Sequence, residues 1–290
     1  MADEPGDYAD ANGIRLWYRD EGDPDGQPLL LVMGLNSQLI AWPEEIVTGL
    51  GERGYRVIRF DNRDCGLSEK IDTGTADAYP LARGYYLTDM AADAVGLLDH
   101  LGVQRAHVVG ASMGGMIAQL VAIHHTDRVA TLCSIMSTTG NRLVGNPTFE
   151  AAQAMLRPTP PERERAIPHI AEIYRIVGSR THAETEQANR LRLAEASYDR
   201  MFYPAGAQRQ AAAIAVAVDR TAKLRELTTP TLVVHGAEDS LIQVSGGQAT
   251  HRAIPGSTYL ELPDMGHDLP TPLRPQLVDA IDANARKGAL

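Results

Sequence analysis

The sequence predicts an α/β protein built on a mostly parallel eight-stranded sheet with helices on both faces, interrupted by a helical insertion. Three observations carry that prediction. Strand-like runs alternate with helical patterns through residues 1–136 and 223–290, the order that gives parallel strands joined by crossover helices. Residues 137–222 break the rhythm, with helical patterns and no convincing strand. One apolar run, His107-Val108-Val109, passes into Gly110-Ala111-Ser112-Met113-Gly114 and then at once into a helical pattern. That sequence marks a sharp strand-to-helix turn.

Residues 8–11 and 14–20 form an opening antiparallel hairpin, because 14–20 alternates and Asn12-Gly13 is a two-residue turn signal. Asp23-Pro24-Asp25-Gly26 is a loop. Leu29-Leu30-Leu31-Val32-Met33 is continuously apolar, as expected of a strand buried on both faces, and Gly34-Leu35-Asn36-Ser37 ends it. Trp42-Pro43-Glu44-Glu45 opens a helix, with proline and acids where a first turn tolerates them, and the helix ends near Gly54. Residues 56–60 are the next strand and 61–68 a turn. A polar loop broken by Gly74, Pro80 and Gly84 follows to about Leu87. Met90, Val95, Leu98 and Leu101 then fall at helical spacing. The strand ending at Val109, a helix through about His125 and an apolar strand at 130–136 complete this half.

Within the insertion, Ile167, Ile170, Ala171, Tyr174 and Val177 make one helical face. Residues 185–199 form a polar helix and 208–218 an alanine-rich one. Breaks fall at Pro158-Thr159-Pro160-Pro161 and Tyr203-Pro204-Ala205-Gly206. The simplest placement is a cap over the carboxyl edge of the sheet. The sheet resumes at 230–235 and again at 258–262, and a last helix runs from about Arg274 to Arg286.

A chain of 290 residues suffices for one large core with an inserted subdomain. The formal net charge of -10 argues against a nucleic-acid partner or an anionic membrane, which both need positive charge. No run of about 18 apolar residues is present. Cys65 and Cys133 have no metal-ligand spacing and fit a reducing compartment. The acidic opening Met1-Ala2-Asp3-Glu4-Pro5 lacks the apolar segment of a signal peptide. A cytoplasmic location is expected, with monomer and homodimer both left open.

The Ser112 hydroxyl sits where a helix N-terminus favours developing negative charge. Serine is a weak nucleophile at neutral pH, so it needs a base, and the base an orienting acid. Two late loops leave the carboxyl ends of strands, where open α/β sheets place their sites. One, Gly236-Ala237-Glu238-Asp239, supplies Asp239 as the acid, with Glu238 next door. The other, Pro263-Asp264-Met265-Gly266-His267, supplies His267 as the base. Asp264 and Asp268 flank His267 and are expected to be solvated, while His107 and His235 read as packing. Oxyanion donors are expected from the backbone N–H of Met113 and of Leu35, with Gly34 allowing close approach. Met136, Phe149, Met155 and Ile173 are apolar candidates for lining a substrate pocket. Packing within the cap would explain each equally well.

These residues resemble the α/β-hydrolase superfamily over nearly the whole chain. Ser112, Asp239 and His267 fall at the family's triad positions. Asp61-Asn62-Arg63-Asp64-Cys65-Gly66-Leu67-Ser68 is similar to its Asp-x-Arg-Gly-x-Gly-x-Ser turn, with Asp64 where glycine is usual. That turn is expected to be structural. Met33-Gly34-Leu35-Asn36, with Ala41-Trp42-Pro43 following, looks most like bacterial esterases of the aclacinomycin methylesterase type. The resemblance implies a serine carboxylesterase acting on an uncharged, fairly hydrophobic small-molecule ester through an acyl-enzyme. Serine at the elbow excludes the aspartate-nucleophile chemistry of haloalkane dehalogenases and epoxide hydrolases. No Walker-type loop or His-Glu-x-x-His motif occurs, so no cofactor or metal is implied. A cofactor-free perhydrolase or haloperoxidase, and a lactonase or C–C-bond hydrolase, would share the triad. A small-molecule sensor with a vestigial triad is the alternative of another class.

Overall fold

The structure, a computed structural model, describes residues 5–71 and 84–288. Eight strands form one sheet: β1 (Asp7–Ala11), β2 (Ile14–Gly22), β3 (Gln27–Val32), β4 (Tyr55–Phe60), β5 (Ala106–Ala111), β6 (Val129–Ile135), β7 (Thr231–Gly236) and β8 (Thr258–Leu262). Their order is β1-β2-β4-β3-β5-β6-β7-β8. β1 and β2 pair antiparallel, as do β2 and β4, and every later neighbour is parallel. The hairpin turns at Asn12 and Gly13, both at positive φ, as a two-residue turn with this twist requires.

Two apolar clusters sit on opposite faces of the sheet. On one, α2 (Leu87–His100) and α3 (Met113–His124) cover Leu30, Val32, Ile58 and Val108. On the other, α1 (Glu44–Gly51) and α10 (Arg274–Ala285) cover Leu29, Leu31, Val57 and Val109. Alternate residues of one strand feed opposite clusters, which explains why β3 and β5 are apolar throughout. The expected loop through Gly74 and Pro80 lies mostly outside the described residues.

Between β6 and β7 the chain makes α4 (Phe149–Leu156), α5 (Arg163–Val177), α6 (Ala183–Arg200), α7 (Pro204–Ala215) and the short α8 (Thr221–Leu224). The break expected at residues 203–206 lies slightly earlier. Pro204 opens α7, where its missing N–H costs nothing. α9 (Ser245–Ala253), which follows β7, has no apolar periodicity to announce it in the sequence. Its buried face is Gly246, Gly247, Thr250 and Ala253. These small residues give helical spacing without an apolar signal.

Buried polar contacts fasten the inserted helices to the core. Arg200 pairs with Asp61 at 2.7 Å, and Asp61 also accepts the N–H groups of Leu39 and Leu67. Arg209 grips Asp64 through Nε and Nη2, each at 2.8 Å. Asp64 has φ +65, the left-handed backbone that favours glycine. At the neck, Arg220 donates to Thr138 O and Gln119 Oε1, holding the outgoing and returning chains together. No helix among the described residues is long and apolar enough to cross a membrane.

Candidate active site

Ser112 stands between β5 and α3 with φ +57 and ψ −121. A non-glycine residue held there is strained by roughly 1–3 kcal/mol and persists only where its surroundings over-determine it. They do so here by close approach. A Cβ on Gly110 would fall 2.1 Å from Gly114 O, and one on Gly114 would fall 2.0 Å from Val32 O. The two glycines bring strand, helix and the neighbouring β3 into direct backbone contact. Ser112 N–H donates to Ile135 O, and the Ser137 hydroxyl donates to Ser112 O. The side chain is thereby turned out at the head of α3.

The structure brings the three expected side chains together. Ser112 Oγ lies 2.9 Å from His267 Nε2, and His267 Nδ1 lies 2.8 Å from Asp239 Oδ2. Asp239 Oδ1 accepts the N–H groups of Leu241 and Ile242, each at 2.9 Å. Burial pushes the Asp239 carboxyl up, but the charge of His267 and the hydrogen bonds from His235 and His267 outweigh it. The net position is below the ordinary carboxylate value. An ionised Asp239 can only accept, so Nδ1 carries the His267 proton and Nε2 is left to receive one from Ser112.

The chain segment leaving α5 ties both late loops in place. His267 N–H donates to Val177 O at 2.8 Å, and Gly266 N–H to the Ser179 hydroxyl at 2.8 Å. Glu238 accepts the N–H groups of Arg180 and Thr181. Asp268 accepts the Ser179 N–H and hydroxyl and pairs with Arg190 at 3.1 Å. Asp268 is thus not the solvated group expected from sequence, because a cap turn closes over it. Asp264 is the more exposed of the two, 3.8 Å from His182. His235 is also more than packing: its Nε2 lies 3.3 Å from Asp239 Oδ2. The signal is a histidine four residues before Asp239, one residue short of the end of the strand that leads into its loop.

Met113 is the first residue of α3, where its N–H has no carbonyl one turn earlier. Leu35 follows Gly34, on which a Cβ would sit 3.0 Å from Ser112 Cβ. The loop carrying Leu35 therefore passes directly over the serine. That loop is braced from the cap: Asn36 N–H donates to the buried Gln210 Oε1 at 2.8 Å, and Gln38 Nε2 donates to Ser197 O and Met201 O.

The four expected lining residues separate. Met136 is buried directly after β6, beside Ser137 and hence the elbow. Ile173 is half-buried on α5. Phe149 is 79% exposed and Met155 38% exposed, which corrects the expectation that they line a pocket. α4 packs through Ala151 and Ala154, and Phe149 falls nearly opposite Ala151 on the helix. Among the described residues, no three His, Cys, Asp or Glu side chains are grouped as they would be around a metal ion.

With this geometry in view, similarity to known proteins is informative. Rhodomycin D methylesterase DnrP of Streptomyces peucetius is 29% identical, over 94% of this chain and 95% of that protein. The 2-hydroxymuconate semialdehyde hydrolase of Pseudomonas sp. (strain CF600) is 34% identical over 80% of this chain and 76% of its own. Among solved structures, the enol-lactonase of Burkholderia xenovorans LB400 superposes with a TM-score of 0.78 at 24% identity, covering 97% of this chain and 100% of that one. A family model described as the α/β hydrolase fold matches residues 27–270. A match of that extent, on this sheet order, makes the chain a member of the α/β hydrolase family.

Proposed function

We propose that this protein is a serine carboxylesterase that cleaves an uncharged, fairly hydrophobic small-molecule ester through an acyl-enzyme. The observation that supports it is the unbroken line from Ser112 Oγ to His267 Nε2, and from His267 Nδ1 to Asp239 Oδ2, at 2.9 and 2.8 Å. The kinship with a rhodomycin D methylesterase over nearly the full length of both chains favours esters among the possible substrates.

In this reading Ser112 attacks the ester carbonyl and its proton passes to His267 Nε2. The negative charge then forming on the carbonyl oxygen is met by the N–H groups of Leu35 and Met113. One such donor is worth about 3–4 kcal/mol in the transition state. His267 returns the proton to the departing alcohol, leaving Ser112 acylated. Water, deprotonated by His267, attacks the acyl carbon and releases the acid and the free serine. Asp239 stays ionised throughout and stabilises the imidazolium. Met136 and Ile173 are the apolar groups proposed to line the substrate pocket.

A panel of p-nitrophenyl esters of rising acyl length, run on wild type and Ser112→Ala, tests this. A burst of p-nitrophenol equal to the enzyme concentration, absent in Ser112→Ala, is expected. Turnover that is the same in both proteins overturns the proposal.

A further inference from the structure

His235 is the penultimate residue of β7, with its side chain wholly buried. Its Nε2 lies 2.7 Å from Ile242 O and 3.3 Å from Asp239 Oδ2. Both neighbours can only accept, so Nε2 carries the proton, donating it to Ile242 O with Asp239 Oδ2 in close polar contact. Asp239 Oδ2 is the same oxygen that receives His267 Nδ1–H. With the N–H groups of Leu241 and Ile242 on Oδ1, the carboxylate is surrounded by donors, and two imidazoles meet on one oxygen.

The fold makes room for a ring at this place. Gly247 lies inside α9, where a Cβ would fall 2.4 Å from His235 Nδ1. Glycine within a helix is a standing cost to stability, and here it leaves space for the imidazole. His235 Nδ1 is itself buried with no hydrogen-bond partner among the described residues. A leucine or phenylalanine would avoid that cost. What the other nitrogen does accounts for a polar ring kept under both conditions. The nearby charges are engaged elsewhere: Glu238 with Arg180 and Thr181, and Asp268 with Ser179 and Arg190.

We propose that His235 is a positioning residue of the site, holding Asp239 Oδ2 toward His267 and drawing off part of the carboxylate charge. It acts through Asp239 and touches no reacting atom. Removing it leaves more of that charge facing His267, whose imidazolium becomes easier to form. The inference rests on the serine-esterase reading, so its test has one readout that needs no substrate.

His235→Leu is compared with His235→Gln, whose Nε2 can take the place of the ring nitrogen. A third variant, Gly247→Ala, crowds the ring without altering any polar group and serves if the leucine variant does not fold. On esters turned over by wild type, His235→Leu is expected to lower kcat about 10-fold or more with KM nearly unchanged, the effect of losing a donor to a charged group. The acid limb of its kcat/KM profile should move to higher pH. His235→Gln should recover most of both, and Gly247→Ala should move the limb in the same direction as leucine. Independently of turnover, the proton NMR resonance of His267 Nδ1–H should titrate at higher pH in His235→Leu and return in His235→Gln. A resonance that titrates alike in all variants overturns the proposal, as does a kcat loss shared by leucine and glutamine with an unmoved limb. Loss of esterase activity in the wild-type protein, with the resonance still shifting, would remove the esterase reading and leave the positioning role standing.

Discussion

At the elbow, Ser112 is fixed by backbone packed against backbone: Gly110 against Gly114, Gly114 against Val32, and Ser112 N–H on Ile135 O. All of these contacts lie in the core sheet and the helix that follows it. Across the site, Asp239 and His267 sit on loops whose outer sides are held by the cap. Val177 O, Ser179, Arg180, Thr181 and Arg190 reach over from α5, α6 and the segment joining them. Ser112 is thus held by steric exclusion, which is stiff and local. Its partners are held by directional hydrogen bonds between segments 57 to 90 residues apart. Damage to the cap should therefore disturb His267 and Asp239 and leave Ser112 in place.

The largest effect tests the line the two halves share. Ser112→Ala is expected to lower kcat about 10⁶-fold and Asp239→Asn about 10⁴-fold on a turned-over ester, by analogy with triads in which the members act as a unit. Comparable small losses in both would show that the two halves do not cooperate. Next comes the stiff side. Gly114→Ala drives a Cβ to 2.0 Å from a backbone carbonyl and should cost about 3 kcal/mol or more in denaturant unfolding. An unchanged midpoint would mean that the elbow yields after all.

The bonded side should give way more gently. Asp268→Ala strips Ser179 and Arg190 of a shared partner that is itself partly exposed. It is expected to cost about 2 kcal/mol, with kcat about tenfold lower as His267 loosens. Labelling of Ser112 by a fluorophosphonate should slow with it, while the elbow geometry in a crystal of the variant stays the same. Acid sharpens the comparison further. The folded-state carboxyl of Asp239 lies below its ordinary value of about 3.9. Its contribution to stability is therefore present above about pH 4 and is lost as pH falls through the lower folded value. The stability gap between wild type and Asp239→Asn should close over that window, and a gap independent of pH would contradict the sign. Smallest of all, Phe149→Ser should change stability by less than about 0.5 kcal/mol and leave KM alone, since the side chain faces solvent.

The same division decides what could be read from sequence. Gly110, Ser112 and Gly114 are neighbours along the chain, so the clash that fixes their identities is written in five consecutive residues. The order of the strands and the loops bearing Asp239 and His267 were legible because apolar runs and glycines punctuate them. The cap turn was not. Nothing near Ser179 or Arg190 indicates Asp268, and a carboxylate beside a histidine on a loop reads as solvated until another segment covers it. His235 was hidden for the opposite reason. A histidine at the end of an apolar strand resembles packing, and only its distance to Asp239 Oδ2 distinguishes it. α9 escaped because small residues, not large apolar ones, form its buried stripe. Phe149 misleads because hydrophobic character suggests burial, whereas its short helix packs by alanines.

The contact between Asp64 and Arg209 has a consequence of its own. Glycine at 64 would relax the left-handed backbone, yet it would strand a guanidinium in the interior, a loss of about 3–5 kcal/mol for a buried pair. Replacing Arg209 alone would abandon a carboxylate with the same effect. Each position blocks the drift of the other, although they are 145 residues apart. Any descendant of this chain that leaves the arrangement must change both at once or lose much of its margin against unfolding on the way.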